Sequence, residues 1–216
     1  MTRIVSPSFL SADYLNLGQE VEWLNKSEAE WFHLDVMDGI FVPNITFGFP
    51  IIKAIRKRTN KVLDAHLMIV EPEKYIKTFA LSGVDFLTIH IESTSDIVGA
   101  LKKIREYGMK AGVAIKPDTP VSVVELLLDY VDMILVMSVY PGFPAQEFIP
   151  ESIERIAQVR QMIDAKNADI LIQVDGGVSI NNARELFDAG CNVLVAGNAI
   201  FNSENPTETI NKLLNI

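Results

Sequence analysis

The sequence predicts an α/β fold, a (β/α)8 TIM barrel, from three observations. Short runs of β-branched and apolar residues alternate with longer segments at helical spacing along the whole chain. Several runs are continuously apolar, as in Ile134-Leu135-Val136-Met137, which suits strands of a parallel sheet covered on both faces. No linker interrupts the alternation, and eight strand-helix units averaging ~27 residues fit a closed barrel better than an open doubly wound sheet. Residues 1–216 are therefore expected to form one barrel domain.

The strands are expected near Ile4 to Phe9, Trp31 to Asp35, Val62 to Met68, Phe86 to His90, Lys110 to Ile115, Met133 to Ser138, Ile170 to Val174 and Val193 to Ala196. Between them, segments such as Leu17 to Leu24, Ile51 to Lys57, Pro72 to Leu81 and Ile97 to Tyr107 repeat apolar residues three and four apart, the signature of amphipathic helices. With 49% hydrophobic residues the chain has material for a substantial core. A formal net charge of −9 argues against a duplex-binding surface, which needs clustered Lys and Arg. An anionic ligand must then be gripped locally. The single cysteine, Cys191, has no partner for an internal disulfide and reads as a small buried residue in a reducing compartment. The stretch from Met1 to Pro7 lacks an extended apolar core, so no secretory signal is expected. No uncharged apolar run reaches the ~20 residues that span a bilayer. A cytoplasmic protein without nucleic-acid or membrane partners is the expectation.

In this fold the site is assembled at the carboxyl ends of the strands. Those ends carry Ser8 on the first, His33 and Asp35 on the second, His66 on the third, His90 on the fourth and Asp175 on the seventh. In His33-Leu34-Asp35 the two polar residues are two apart, so both face the barrel interior while Leu34 faces the helices. A carboxylate or imidazole at an otherwise apolar mouth must be solvated, paired or bound to metal. Taken singly, each is an ordinary hydrogen-bonded strand end. Together His33, Asp35, His66 and Asp175 make a set that suits one divalent ion: zinc, iron, manganese or cobalt. His90 and Asp38 are expected to serve strand capping and local hydrogen bonding.

Glycine-containing turns follow the last three strands: Tyr140-Pro141-Gly142-Phe143, Asp175-Gly176-Gly177 and Ala196-Gly197-Asn198. Glycine lets backbone N–H groups approach an anion, and barrel enzymes often hold phosphate at this position. Met37, Met68 and Met137 lie at or beside three strand ends, where they either pack as core or floor a dry cavity.

The chain closely resembles the ribulose-phosphate 3-epimerase family over nearly its full length. The motifs are Ser6-Pro7-Ser8-Phe9-Leu10-Ser11-Ala12-Asp13, His33-Leu34-Asp35-Val36-Met37-Asp38-Gly39 with Phe41-Val42-Pro43-Asn44, His66-Leu67-Met68-Ile69, Met137-Ser138-Val139 with Pro141-Gly142-Phe143, Val174-Asp175-Gly176-Gly177-Val178, and Val195-Ala196-Gly197. The resemblance implies a catalytic barrel of the ribulose-phosphate binding type and reversible inversion of D-ribulose 5-phosphate at carbon 3, in the pentose phosphate pathway of carbohydrate metabolism. It implies one divalent metal on His33, Asp35, His66 and Asp175. Asp35 would remove the proton and Asp175 return it from the opposite face, as inversion beside a carbonyl requires. Substrate contacts would come from Ser8, His66, the methionines Met37, Met68 and Met137, and the turn residues Gly142, Phe143, Ala145, Gly176, Gly177, Gly197 and Asn198. Family members form dimers to hexamers, so a homo-oligomer is expected.

The departures cluster in one place. Where the family usually reads Asn-Pro-Gly-Phe-Gly-Gly-Gln, this chain has Tyr140-Pro141-Gly142-Phe143-Pro144-Ala145-Gln146. Pro144 has no N–H to donate and stiffens a loop expected to close over substrate. Lys116 stands where asparagine is usual, and Asn198 where serine is frequent. Two further readings arise: epimerisation of another ketose phosphate such as allulose 6-phosphate, or a phosphosugar-binding protein without turnover. The related decarboxylases use an Asp-x-Lys-x-x-Asp pattern, and Met37 at the lysine position disfavours that group.

Overall fold

The computed structural model describes residues 2–216; Met1, the first residue of the stretch expected to carry no signal, lies outside them. The elements run β1 (Ile4–Pro7), α1 (Leu17–Lys26), β2 (Trp31–Met37), α2 (Phe49–Arg56), β3 (Val62–Met68), α3 (Ile76–Ala80), β4 (Phe86–His90), α4 (Ile97–Glu106) and β5 (Lys110–Ile115). They continue with β6 (Met133–Met137), α5 (Ser152–Ala165), β7 (Leu171–Asp175), α6 (Ile180–Asp188), β8 (Val193–Ala196), α7 (Asn198–Phe201) and α8 (Pro206–Leu214). Neighbouring strands are parallel, in the order β1-β8-β7-β6-β5-β4-β3-β2. The two ends of that order meet at one parallel bridge, Ser8 with His33. Across the same seam Ser8 Oγ donates to Asp35 Oδ2 at 2.6 Å. The (β/α)8 barrel is nearly closed, and its last stitch lies at the carboxyl mouth.

Several boundaries differ from expectation by a residue or two, and one expected helix is divided. The first strand stops at Pro7 because Ser8 caps a short 3-10 turn, Phe9–Ser11, accepting from the Leu10 N–H. The second runs on to Met37, and the seventh spans Leu171–Asp175, so Asp175 is its terminal residue. The helix expected over Pro72 to Leu81 is divided: Tyr75, at φ −111°, separates the 3-10 turn Pro72–Lys74 from α3. Between β5 and β6 the connection is a 3-10 helix, Val121–Leu127, where Val121, Val123 and Val124 disfavour α-helix through their stiff β-branched side chains.

Alternation along the strands serves two cores. Outward residues such as Leu34, Leu63, Ile89 and Ile172 are buried against helix residues including Leu24, Ile52, Ile104 and Leu186. Truncating one such leucine to alanine costs ~2–5 kcal/mol. Inward residues change character along the axis. At the amino end Ile4, Trp31, Met133 and Val193 form an apolar plug with Val62, Phe86 and Leu171. Nearer the mouth Ser6, His33, Asp64, Thr88 and Gln173 are all fully buried. The barrel is thus sealed on one side and polar on the other. Cys191 is free and buried, its thiol pushed up to about 12 by desolvation. No helix of the described residues is long and apolar enough to cross a membrane.

The polar interior is tightly filled: a Cβ added at Gly112 would lie 2.1 Å from Thr88 Oγ1 and 3.2 Å from Thr88 Cα. Gly112→Ala should therefore destabilise the protein by ~1–3 kcal/mol through overpacking. A thermal melt checks this, and an unchanged Tm would mean that the interior shifts freely.

Candidate metal centre and active site

Register brings the polar strand ends together. His33 pairs with Asp64 and Asp35 with His66 along the β2–β3 ladder, so the four inward side chains stack in one corner of the mouth. Asp35 Oδ1 lies 3.2 Å from His33 Nε2 and 3.1 Å from His66 Nδ1. Asp175 Oδ2, arriving from β7, lies 3.8 Å from both nitrogens. Around the ring β7 is three strands from β2, by way of β1 and β8, so the two carboxylates enter the mouth from different sides.

One donor atom from each of His33, Asp35, His66 and Asp175 lies within 4.8 Å of the others. The donor chemistry fits a divalent cation. Two carboxylates converging this closely repel each other, and a cation among them removes that repulsion. The outer nitrogens of both imidazoles are already engaged: His33 Nδ1 lies 2.7 Å from Asp64 Oδ2, and His66 Nε2 lies 2.8 Å from His90 Nε2. Such outer partners orient metal-binding imidazoles. Asp64 is itself held by Gln173 Nε2, which donates to Oδ2 at 2.6 Å.

Proton affinities diverge across this group. Burial opposes the Asp35 charge, but the His33 and His66 imidazoles outweigh it and hold the carboxyl far below its usual range. Asp175 moves the other way: burial and the Asp35 charge push it up to about 6, against the pull of both histidines. His33 is raised well above its ordinary value, burial being outweighed by the carboxylates of Asp35 and Asp64. Burial, reinforced by His66 and Lys116 and countered by Glu92, drives His90 down to about 4. Glu92 falls to about 2 because hydrogen bonds from His90, Thr119 and the Lys116 N–H overcome its desolvation.

Above the group opens a cleft of about 360 Å³. Of the residues expected from sequence, Ser8, Asp35, Asp175 and the methionines Met37, Met68 and Met137 line its floor and wall. Gly142, Phe143, Ala145, Gly176, Gly177, Gly197 and Asn198 line the side formed by the last three strand-helix turns. His33 and His66 are fully buried and do not line the cleft; they stand behind the aspartates. No lysine or arginine lines it either, so an anion there would be met by neutral donors, backbone N–H groups and side chains such as Ser11, Ser179 and Asn198. Gly177 makes that approach possible. Its φ of 63° is a region L side chains avoid, and an added Cβ would lie 2.5 Å from the Phe148 nitrogen.

The variant loop after β6 is well braced. Gln146 Nε2 donates to the Tyr140 and Phe143 carbonyls at 2.7 and 2.9 Å, and Asn44 Nδ2 donates to the Gly142 carbonyl at 2.7 Å. Ala145 adopts φ 58°, the left-handed conformation that glycine takes without strain.

Sequence reasoning missed three supporting groups. Asp64 stands two before His66, the same spacing as His33 and Asp35, and that repetition was the available signal. His90 does more than end a strand, since it contacts His66 on one side and Glu92 on the other. Gln173 carried no signal at all. Asp38 behaves as expected, accepting the N–H groups of Ile40, Phe41 and Val70 and so fixing the loops after β2 and β3.

Comparisons with known proteins point to one family. The ribulose-phosphate 3 epimerase family profile matches residues 4–201. A ribulose-phosphate 3-epimerase of Synechocystis is 48% identical over 209 residues, covering 96% of this chain and 91% of that protein. The Bacillus subtilis ribulose-phosphate 3-epimerase is 44% identical, covering 97% of each chain, and the chloroplastic enzyme of Arabidopsis thaliana is also 44% identical, covering 96% of this chain and 74% of its own. Among solved structures, a mutant tryptophan synthase alpha-subunit of Pyrococcus furiosus superposes with a TM-score of 0.75 at 16% identity, covering 100% of this chain and 98% of its own. A 3-hexulose-6-phosphate synthase gives 0.72 at 17%, covering 100% and 99%. These last two likenesses carry the barrel fold alone. Sequence and architecture agree that the chain belongs to the ribulose-phosphate 3-epimerase family.

Proposed function

We propose that this enzyme, an epimerase by family, inverts carbon 3 of D-ribulose 5-phosphate to give D-xylulose 5-phosphate, with Asp35 and Asp175 exchanging the proton. The observation that carries the proposal is the pair of carboxylates, Asp35 from β2 and Asp175 from β7, that share one cleft floor. Asp35 would accept the carbon-bound proton. Asp175 would return one from the other side. Because the two approach from different strands, removal on one face and return on the other inverts the centre. Ser8 Oγ, donating to Asp35 Oδ2, leaves Oδ1 as the oxygen directed at the histidines and fixes the carboxylate plane.

His33, Asp35, His66 and Asp175 would hold one divalent cation, of zinc, iron, manganese or cobalt. Bound there, it supplies electrostatic stabilisation of the negative charge that develops on the substrate oxygens, worth several kcal/mol. Met37, Met68 and Met137, each almost fully buried, give the reacting carbon an apolar wall that excludes water. The turns at Gly176–Gly177 and Gly197–Asn198 would bind the phosphate through backbone N–H groups and so orient the sugar. The braced loop with Pro144 and Ala145 favours testing a second substrate, allulose 6-phosphate, on the same core. Comparing kcat/KM on the two sugars decides between them.

Asp35→Asn and Asp175→Asn should each lower kcat by at least ~10²–10⁴ while leaving the melting temperature of folded protein in the wild-type range. A coupled assay of xylulose 5-phosphate formation checks this, and near-full activity in either variant would overturn the two-base scheme.

Stripping with a chelator should abolish turnover, and reloading with one of the four ions should restore it. Since His33 is held protonated in the metal-free site and must be neutral to bind, affinity should rise with pH as that proton is lost. Chelator-competition titrations at pH 6 and pH 8 test the sign; equal affinities would show that no proton leaves the site when the ion binds.

Replacing Pro144-Ala145 by Gly-Gly should loosen the loop and relieve the left-handed strain at Ala145, ~1–2 kcal/mol for a non-glycine residue. The expected readout is a changed KM for the sugar phosphate. Identical steady-state kinetics would make this departure silent.

A further inference from the structure

We propose that Glu92, acting through His90, fixes the tautomer of His66 so that its Nδ1 presents a lone pair to the metal position. The inference rests on the proposed role of His66 as a ligand and concerns residues that lie outside the four-membered set. His66 Nδ1 faces Asp35 Oδ1 at 3.1 Å, and its Nε2 faces His90 Nε2 at 2.8 Å. On the far side His90 Nδ1 lies 3.1 Å from Glu92 Oε2. The other Glu92 oxygen, Oε1, accepts the Lys116 N–H at 3.1 Å and the Thr119 hydroxyl.

Two nitrogens 2.8 Å apart must share a single hydrogen, and only two arrangements of two neutral imidazoles provide it. In the first, His66 donates from Nε2 to His90, and His90 donates from Nδ1 to Glu92. The contacts of His90 with His66 and with Glu92 are then both satisfied, and His66 Nδ1 turns a lone pair toward Asp35 Oδ1, free to coordinate a cation placed between them. In the second, His90 donates from Nε2 to His66. This leaves its Nδ1 lone pair against the Glu92 carboxylate, and it places a proton on His66 Nδ1, directed at Asp35. That arrangement blocks coordination. Asp35 and Glu92 therefore compete for the orientation of one chain, and Glu92, anchored as a carboxylate by two donors from the loop after β5, selects the coordinating form.

His33 reaches the same end directly. Its outer nitrogen meets Asp64 at 2.7 Å without an intermediary. Each ligand imidazole is thus backed by a carboxylate, one immediately and one through a relay. The relay is also enclosed. The Phe41 ring packs on His90 with centroids 4.9 Å apart, and the Lys116 ammonium sits 4.0 Å from the centre of the Phe41 ring. His90 and Glu92 are positioning residues by this account, since neither lines the cleft.

With only three histidines in the chain, the tautomers can be read individually. Protein labelled with ¹⁵N-histidine would be examined by two-bond ¹H–¹⁵N spectroscopy, metal-stripped and zinc-loaded. The expected result in both forms is His90 carrying its hydrogen on Nδ1 and His66 on Nε2. His90 protonated on Nε2 instead would overturn the relay. Glu92→Ala should weaken zinc binding by ~10–100-fold in competition with a chromophoric chelator, and Glu92→Gln, which keeps an acceptor oxygen, by less. Wild-type affinity in folded Glu92→Ala protein would also overturn it. Should that variant fail to fold, the tautomers of the unaltered protein still decide. If the unaltered protein binds no zinc, manganese or cobalt, the metal centre fails, while the spectra judge the relay independently.

Discussion

Closure of a parallel barrel is the constraint on which everything else here depends. Parallel strands joined in one ring must share a tilt and stagger, and their carboxyl ends then emerge at one rim. The β2–β3 register sets His33 beside Asp64 and Asp35 beside His66. Closure alone brings Asp175 from β7 within reach of both histidines. The ring is completed where it matters chemically: the single bridge between its ends, Ser8 with His33, adjoins the hydrogen bond from Ser8 to Asp35. A shift by one residue in either strand would turn these side chains toward the helices.

Concentrating charge in that corner is costly, because a buried carboxylate loses its hydration. The protein offsets the loss with hydrogen bonds rather than with solvent. Asp35 is met by Ser8 and two imidazoles, and Asp64 by His33 and Gln173. The apolar plug of Ile4, Trp31, Met133 and Val193 closes the opposite end, leaving the cleft side as the approach to the cluster. Under that confinement neighbouring carboxylates no longer behave alike. Asp35, in contact with both histidines, stays charged, whereas Asp175, farther from them and facing the Asp35 charge, holds its proton more strongly. Two identical side chains thus acquire different proton affinities from their surroundings, as the proposed proton exchange would use.

The other half of the cleft solves a separate problem. This acidic chain has no cationic side chain in the cleft, and under the proposed function the turns after β7 and β8 would offer backbone N–H groups to the phosphate. The loop after β6 closes the third side. Its proline and its left-handed alanine are accommodated because Gln146 and Asn44 fix three of its carbonyls. The position of Lys116 has a structural consequence too, since its ammonium covers Phe41, which in turn shields His90.

Much of this was legible in the sequence. Period-two alternation separated His33 and Asp35 from Leu34, and several continuously apolar runs announced a parallel sheet with both faces covered. Such signals are local, and they determine which residues face inward and where each strand ends to within a residue or two. They also identified His33, Asp35, His66 and Asp175 as inward groups at the rim. The hydrogen-bond partners were not legible. Asp64 and Gln173 come from inside β3 and β7, His90 and Glu92 from the end of β4 and the turn after it, and a pairing such as Asp64 with Gln173 spans 109 residues. Likewise only the folded chain withdrew His66 from the cleft and gave Asp35 and Asp175 different proton affinities. Composition and periodicity fix the direction of a side chain. What it meets, and how burial then shifts its chemistry, is decided when ring closure brings distant strands within a few ångströms.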